Sequence, residues 1–213
     1  MFWGGIIAYA LGTAALTLAE VREDRRWQLA LKPLLAASFL ATLVLTGGAT
    51  SSLYGHLILP ALLACALGDV LLLRKGTGPA FIAGMGAFGL GHLIFVIAFA
   101  IVSGEPTSAI PGWLAVALIF LPAFIAWRIA RQSQSEIMSV VVALYGIAIG
   151  GMIALAGASG TWLVLPALAF AVSDLFVAQN RFATPKPWHP VVITPLYFGA
   201  QLAFALSPLL LSA

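Results

Sequence analysis

The sequence predicts an all-α protein, a polytopic membrane bundle of about eight transmembrane helices with both termini on the non-cytoplasmic side. Three observations carry that expectation. Of 213 residues, 62% are hydrophobic and only 8% are charged, against roughly 25% charged in an ordinary soluble domain, and the mean hydropathy is +1.08. The apolar runs repeat from end to end with no polar stretch between them, so lipid must solvate most of this surface. Finally, the basic residues fall in alternate gaps between the runs, with Lys32 as the exception.

A hydrocarbon core of ~30 Å is crossed by ~20 apolar residues in a helix. Eight segments qualify: 3–20, 29–46, 54–73, 79–103, 111–130, 136–157, 160–180 and 188–211. The first has no basic residues before it, whereas Arg22, Arg25 and Arg26 follow it, so it reads as a retained helix and not a cleaved leader. Thr46-Gly47-Gly48, Gly76-Thr77-Gly78-Pro79, Gly104-Glu105-Pro106-Thr107 and Thr184-Pro185-Lys186-Pro187 punctuate the gaps. Such short connections imply antiparallel neighbours, and residues 1–213 read as a single transmembrane domain.

Orientation follows from the charges. Gap one holds Arg22, Arg25 and Arg26, and gap three holds Arg74 and Lys75. Arg128, Arg131, Arg181 and Lys186 mark the ends of helices five and seven. Even gaps and both termini hold none, so odd gaps face the cytoplasm. The expected location is a bacterial inner membrane. The pI near 9.4 does not imply nucleic-acid binding, because the net charge is only +3 and the cations are spread over helix ends. Cys65 is the single cysteine and rules out an internal disulfide. Gly84, Gly91 and Gly150-Gly151 suit close helix packing, and Pro60, Pro122, Pro166 and Pro195 are expected to bend their helices.

Asp69 and Asp174 lie within apolar segments, where an ionisable group is costly and is by default a functional candidate. At ~1.5 Å per residue, Asp69 is about one turn from the cytoplasmic surface and Asp174 ~9 Å from the end of helix seven. His92 lies ~20 Å deep, and Lys32 is expected in the first turn of helix two. Tyr145, Tyr197 and Gln201 fall at intermediate depths. One polar cavity open to the cytoplasm would gather these seven residues. Each also has a plainer account: Lys32 snorkelling or pairing with an aspartate, His92 and the tyrosines packing, Gln201 bridging helices. His56 and His189 are expected at the interface, and the arginines as topology markers. Asp69 and Asp174 are 105 residues apart, as are His92 and Tyr197, which suggests a parallel pseudo-repeat of four helices.

Lys32-Pro33, Gly68-Asp69, Phe81-x-x-Gly84, Phe88-x-x-x-His92, Tyr145 with Met152, Ser173-Asp174 and Tyr197-x-x-x-Gln201 occur in this order. The ordered set resembles the YhhN family of lysoplasmalogenase-like membrane proteins over helices two to eight. Phe95 departs from it, standing where a tyrosine is expected. The resemblance implies hydrolysis of the vinyl ether of a lysophospholipid-like substrate, giving a fatty aldehyde and a glycerophospho-alcohol. No cofactor or metal is expected, and no obligate protein partner is visible in the sequence.

That chemistry suits two carboxylates. A vinyl ether is hydrolysed by protonation at the carbon beta to oxygen, and water captures the resulting oxocarbenium ion, so a positioned general acid is needed. A second, ionised carboxylate stabilises the cation, as at glycosidic bonds. Asp69 and Asp174 are the expected pair, with Lys32, His92, Tyr145, Tyr197 and Gln201 positioning substrate or water. Lys32, Arg74 or Lys75 is suited to neutralise the substrate phosphate. The alternative is a proton- or ion-coupled transporter using the same aspartates. A sensor ranks third, and a metal-dependent variant would require Asp69, His92 and Asp174 to converge.

Overall fold

The computed structural model describes residues 2–74, 76, 78–103, 110–133 and 135–211. They form eight α-helices: α1 (Phe2–Val21), α2 (Arg25–Leu45), α3 (Leu53–Leu72), α4 (Pro79–Ser103), α5 (Gly112–Ala130), α6 (Glu136–Ala158), α7 (Val164–Phe182) and α8 (His189–Leu211). Short 3-10 turns follow α2 and α5, and no strand occurs among the described residues. Lys75 and the segment Gly104-Glu105-Pro106-Thr107 lie outside those residues.

Seven of the helices are long and apolar enough to span a membrane. The eighth, α7, falls short because Ser173, Asp174, Gln179, Asn180 and Arg181 crowd its second half. Two helix starts differ from the sequence expectation. The α2 helix begins at Arg25, not residue 29, because Asp24 caps it, its carboxylate accepting from the Arg26 and Trp27 amides at 3.1 and 3.4 Å. This corrects the placing of Lys32, which lies two turns into α2. The α7 helix begins at Val164, not residue 160, because Gly160 (φ 65°) turns the chain first. Pro166 consequently lies in the opening turn of α7, where a missing N–H breaks no helical bond, and does not kink it. Pro60, Pro122 and Pro195 are internal, as are Pro33 and Pro208.

The exterior is apolar and the interior carries the polar groups. Trp3, Leu45, Trp113 and Ile137 are 72–85% exposed, while His92, His189, Gln201 and Ser207 are completely buried. That inversion fits a hydrocarbon solvent, which rewards apolar surface and drives polar groups inward. His189 opens α8, at the helix end where it is expected, but its side chain is covered by protein. Its Nδ1 pairs with Asn180 Oδ1 beneath Phe176 and Trp188.

Antiparallel pairs α3–α4, α5–α6 and α7–α8 pack most extensively, followed by α4–α6 and then α1–α2. A Cβ on Gly150 would stand 2.4 Å from the Ile119 carbonyl oxygen, and one on Gly91 would stand 2.8 Å from Cys65 Sγ. Only glycine permits these approaches. Neighbour relations repeat between halves: α2 contacts α3 and α8, as α6 contacts α7 and α4. The odd gaps gather at one end of the bundle. Arg25 donates to the Leu73 carbonyl and Arg181 to the Gly76 carbonyl, tying gaps one and seven to gap three.

Candidate active site

Near that basic end a cavity of about 100 Å³ opens between α2, α3 and α8 on one side and α4 to α7 on the other. The α7 helix contributes most of its floor. Ala171, Asp174, Leu175, Ala178, Arg181 and Phe182 all line it, a spacing of three, four and seven that keeps one helical face turned inward. Asp69 and Lys32 line the opposite wall, with Thr194, Tyr197 and Phe198 from α8. The arm towards α5 and α6 is apolar, formed by Pro122, Ala126, Val142, Gly146 and Ile149 together with Met85 and Phe88 of α4.

Asp69 is buried, and its Oδ2 accepts from the Tyr197 hydroxyl at 2.6 Å. Gly68 beside it has a clear local reason. A Cβ there would come within 2.6 Å of the Phe88 ring, so glycine lets that ring close the wall beside the carboxylate. Tyr197 is held among Phe88, Phe170 and Phe198, at centroid distances of 5.8, 5.3 and 4.8 Å.

Asp174 has different company. Its Oδ2 accepts from the Tyr145 hydroxyl at 2.7 Å and faces His92 Nε2 at 3.6 Å. His92 Nδ1 stands 2.7 Å from the Phe88 carbonyl oxygen, which only accepts, so Nδ1 must carry the proton. A neutral His92 therefore turns a bare Nε2 lone pair towards Asp174, and two acceptors confront each other unless one of them is protonated. His92 Nε2 has no hydrogen-bond partner among the described residues, and a protonated Asp174 would face it with a donor. The His92 ring position is fixed by Tyr145 and Phe170, at 5.2 and 4.5 Å.

Of the seven residues singled out from sequence, Lys32, Asp69, Tyr145, Asp174 and Tyr197 line this one cavity. His92 and Gln201 are fully buried behind its wall. His92 stands behind Asp174, Tyr145 and Phe88, which do line the cavity, and Gln201 lies against Cys65 on α3. Lys32 pairs with Glu20 of α1 at 3.0 Å, a partner the sequence reading missed, and Glu20 also accepts from Thr194. A carboxylate closing an apolar run was the available signal for Glu20. Thr194 was findable as well, three residues before Tyr197 and so on the same helical face. Phe95 is fully buried against Phe99 and Phe204. Among the described residues, no three His, Cys, Asp or Glu side chains converge.

The two halves exchange partners. Asp69 of α3 bonds Tyr197 of α8, and Asp174 of α7 faces His92 of α4. The helix contacts follow the expected four-helix repeat only in part: α1 packs on α8 and α5 on α7, without comparable contacts of α5 on α4 or α1 on α3 among the described residues.

The YhhN family profile matches residues 27–208, which include every site residue except Glu20. The chain belongs to the YhhN family. Human lysoplasmalogenase TMEM86B is 32% identical over 173 residues, covering 81% of this chain and 70% of that protein. Human lysoplasmalogenase TMEM86A is 31% identical over 158 residues, covering 70% of this chain and 64% of that protein. A lysoplasmalogenase of Mycobacterium bovis is 27% identical over 150 residues, 68% of this chain and 57% of its own length. No solved structure matches this member of the family.

Proposed function

We propose that this protein is a membrane hydrolase that cleaves the vinyl ether of lysoplasmalogens, releasing a fatty aldehyde and a glycerophospho-alcohol. The observation that carries the reading is that Asp69 and Asp174, from separate halves of the chain, open onto one cavity with an apolar arm. The likeness to lysoplasmalogenases supports the substrate class.

The environments divide the roles. Asp69 shares its wall with the Lys32 ammonium and takes a hydroxyl donor from Tyr197, both of which favour a charged carboxylate. Among the described residues Asp174 has no lysine or arginine in an ion pair with it, and the bare His92 nitrogen favours its protonated form. Asp174 therefore donates its proton to the carbon beta to oxygen, and the double bond electrons form the new C–H bond. The ether oxygen shares the positive charge as an oxocarbenium ion, which Asp69 stabilises. Water then attacks the carbon alpha to oxygen, passing a proton to Asp69. As the hemiacetal collapses to aldehyde and alcohol, Asp69 gives its proton to the leaving glycerol oxygen and Asp174 takes the hydroxyl proton, so both carboxyls return to their starting states. His92 and Tyr145 act through Asp174, and Tyr197 through Asp69.

The alkenyl chain enters the arm between α4, α5 and α6, where apolar walls replace lipid. The basic end of the bundle faces the cytoplasm, and the membrane is a bacterial inner membrane. Fully buried Phe95, Phe99 and Phe204 fill the bundle towards its other end, which supports a closed enzyme site over an alternating-access carrier. The test is aldehyde release by purified protein from an alkenyl lysophospholipid, with Asp69→Asn and Asp174→Asn beside it. Turnover by the parent and its loss by roughly 100-fold or more in each variant is the expected result. Turnover that survives in both variants, or vesicle transport with no aldehyde, would overturn it.

A further inference from the structure

We infer that Arg181 is the anion-binding residue of this cavity, holding the phosphodiester of a lysolipid at the mouth while the carboxylates act two helical turns deeper. The inference rests on the proposed reaction for its ligand and on geometry for its site.

Arg181 lines the same cavity as both aspartates. It follows Asp174 by seven residues, which places it on the same helical face and roughly 10 Å nearer the basic end. In a lysoplasmalogen the phosphorus is separated from the vinyl ether by the glycerol carbons, on the order of 7 Å at ordinary bond lengths. A guanidinium at that height reaches the phosphate when the ether lies beside Asp174.

The guanidinium is held in place but its charge is not matched. Its Cζ lies 5.2 Å from the centre of the Phe81 ring, and Nη1 donates to the Gly76 carbonyl at 3.2 Å. Neither contact is anionic. Among the described residues the ion pairs are Lys32–Glu20, His92–Asp174 and Arg131–Glu136, and Arg181 is in none of them. Lys32, the other cation of the cavity, is already matched by Glu20. Glu20 and an ionised Asp69 both stand on the Lys32 side of the cavity, so the guanidinium at the mouth has no carboxylate in contact with it among the described residues. Nη2 and Nε retain donors in the planar fork that suits two phosphate oxygens. Stacking on Phe81 orients that fork before the ligand arrives.

A purely structural arginine, strapping the α3–α4 connection through Gly76, predicts something different, and binding separates the two. The ligands are a non-cleavable 1-O-alkyl lysophosphatidylcholine, the matching 1-O-alkylglycerol, and inorganic phosphate, titrated onto detergent-solubilised wild type, Arg181→Gln and Arg181→Lys. Wild type should bind the lysophospholipid at least about 10-fold more tightly than the alkylglycerol. Arg181→Gln should lose about 10- to 100-fold for the lysophospholipid and leave the alkylglycerol within about 3-fold, with Arg181→Lys between. Equal losses for both ligands, or no loss for either, would refute the assignment. Tight binding of inorganic phosphate alone would transfer the site to a free anion and refute the lipid assignment. If Arg181→Gln does not fold, the wild-type comparison decides, since equal affinity for the two lipids removes any phosphate site. Because the ligand is not cleaved, selective binding without aldehyde release would sink the hydrolase reading and leave this one standing.

Discussion

Tyr197→Phe removes one oxygen and little else, which makes it the sharpest probe of the Asp69 side of the site. The ring stays packed among Phe88, Phe170 and Phe198, and Tyr197 is only 6% exposed, so phenylalanine fills the same space. What is lost is the hydroxyl donated to Asp69 Oδ2 at 2.6 Å. A hydrogen bond to a charged group contributes about 1.5–3 kcal/mol, whereas neutral interhelical bonds in membranes average about 0.6 kcal/mol. If Asp69 is the ionised carboxylate, a double-mutant cycle of Tyr197→Phe with Asp69→Asn should yield a coupling near the larger figure. Unfolding in mixed detergent micelles measures it. The same loss in the transition state predicts a kcat lower by roughly 10- to 150-fold with KM little changed, measured by aldehyde reduction with an NADH-linked alcohol dehydrogenase. A coupling of about 0.5 kcal/mol or less, or a kcat equal to the parent's, would refute the charge assignment.

The other predictions concern the frame and the second cation. Gly150→Ala forces a Cβ to 2.4 Å from the Ile119 carbonyl oxygen, and backbone cannot yield as a side chain can. It should cost about 2–3 kcal/mol or prevent folding. Gly86→Ala, with nothing within 4 Å of the new atom, should be neutral or add up to about 1 kcal/mol, and thermal unfolding in detergent compares the two. Lys32→Met leaves Glu20, whose side chain is 15% exposed, without its counter-ion. A loss of about 1–3 kcal/mol is expected, largely recovered in Lys32→Met/Glu20→Gln; a double variant as unstable as the single one would argue against the pair. His92→Phe should keep the ring packing against Phe170 but lower kcat by about 10-fold or more, because Asp174 loses the base that holds its proton. An unchanged rate would show that His92 only packs.

Much of this architecture is visible in the sequence because a bilayer demands long apolar helices and leaves few alternatives. Asp69 and Asp174 stand out for the same reason, as carboxylates at depths where lipid cannot solvate them. What was hidden lay at the ends of those segments. Arg25 to Gln28 is polar and so reads as a connection, yet Asp24 caps it into α2 and moves Lys32 a full turn further from the helix start. Glu20 ends the first apolar run, where a carboxylate ordinarily meets water, and only the return of α2 beside α1 turns it into a partner for Lys32. Arg181 satisfies the charge pattern that fixes topology, and that account concealed its place on the face of α7 that carries Asp174. His92 was assigned to the right helix, but its position beside Asp174 depends on the exchange of partners between halves. No periodicity within one helix reports that exchange.

The central claim is that a buried carboxylic acid delivers a solvent-exchangeable proton to carbon. Hydrolysis of an alkenyl lysophospholipid in D2O, with the aldehyde trapped at once by reduction, tests it most directly. The account predicts one deuterium at the carbon next to the former carbonyl, a slower turnover than in H2O, and neither product nor label from Asp174→Asn. An unlabelled chain, or full labelled turnover from Asp174→Asn, would contradict it.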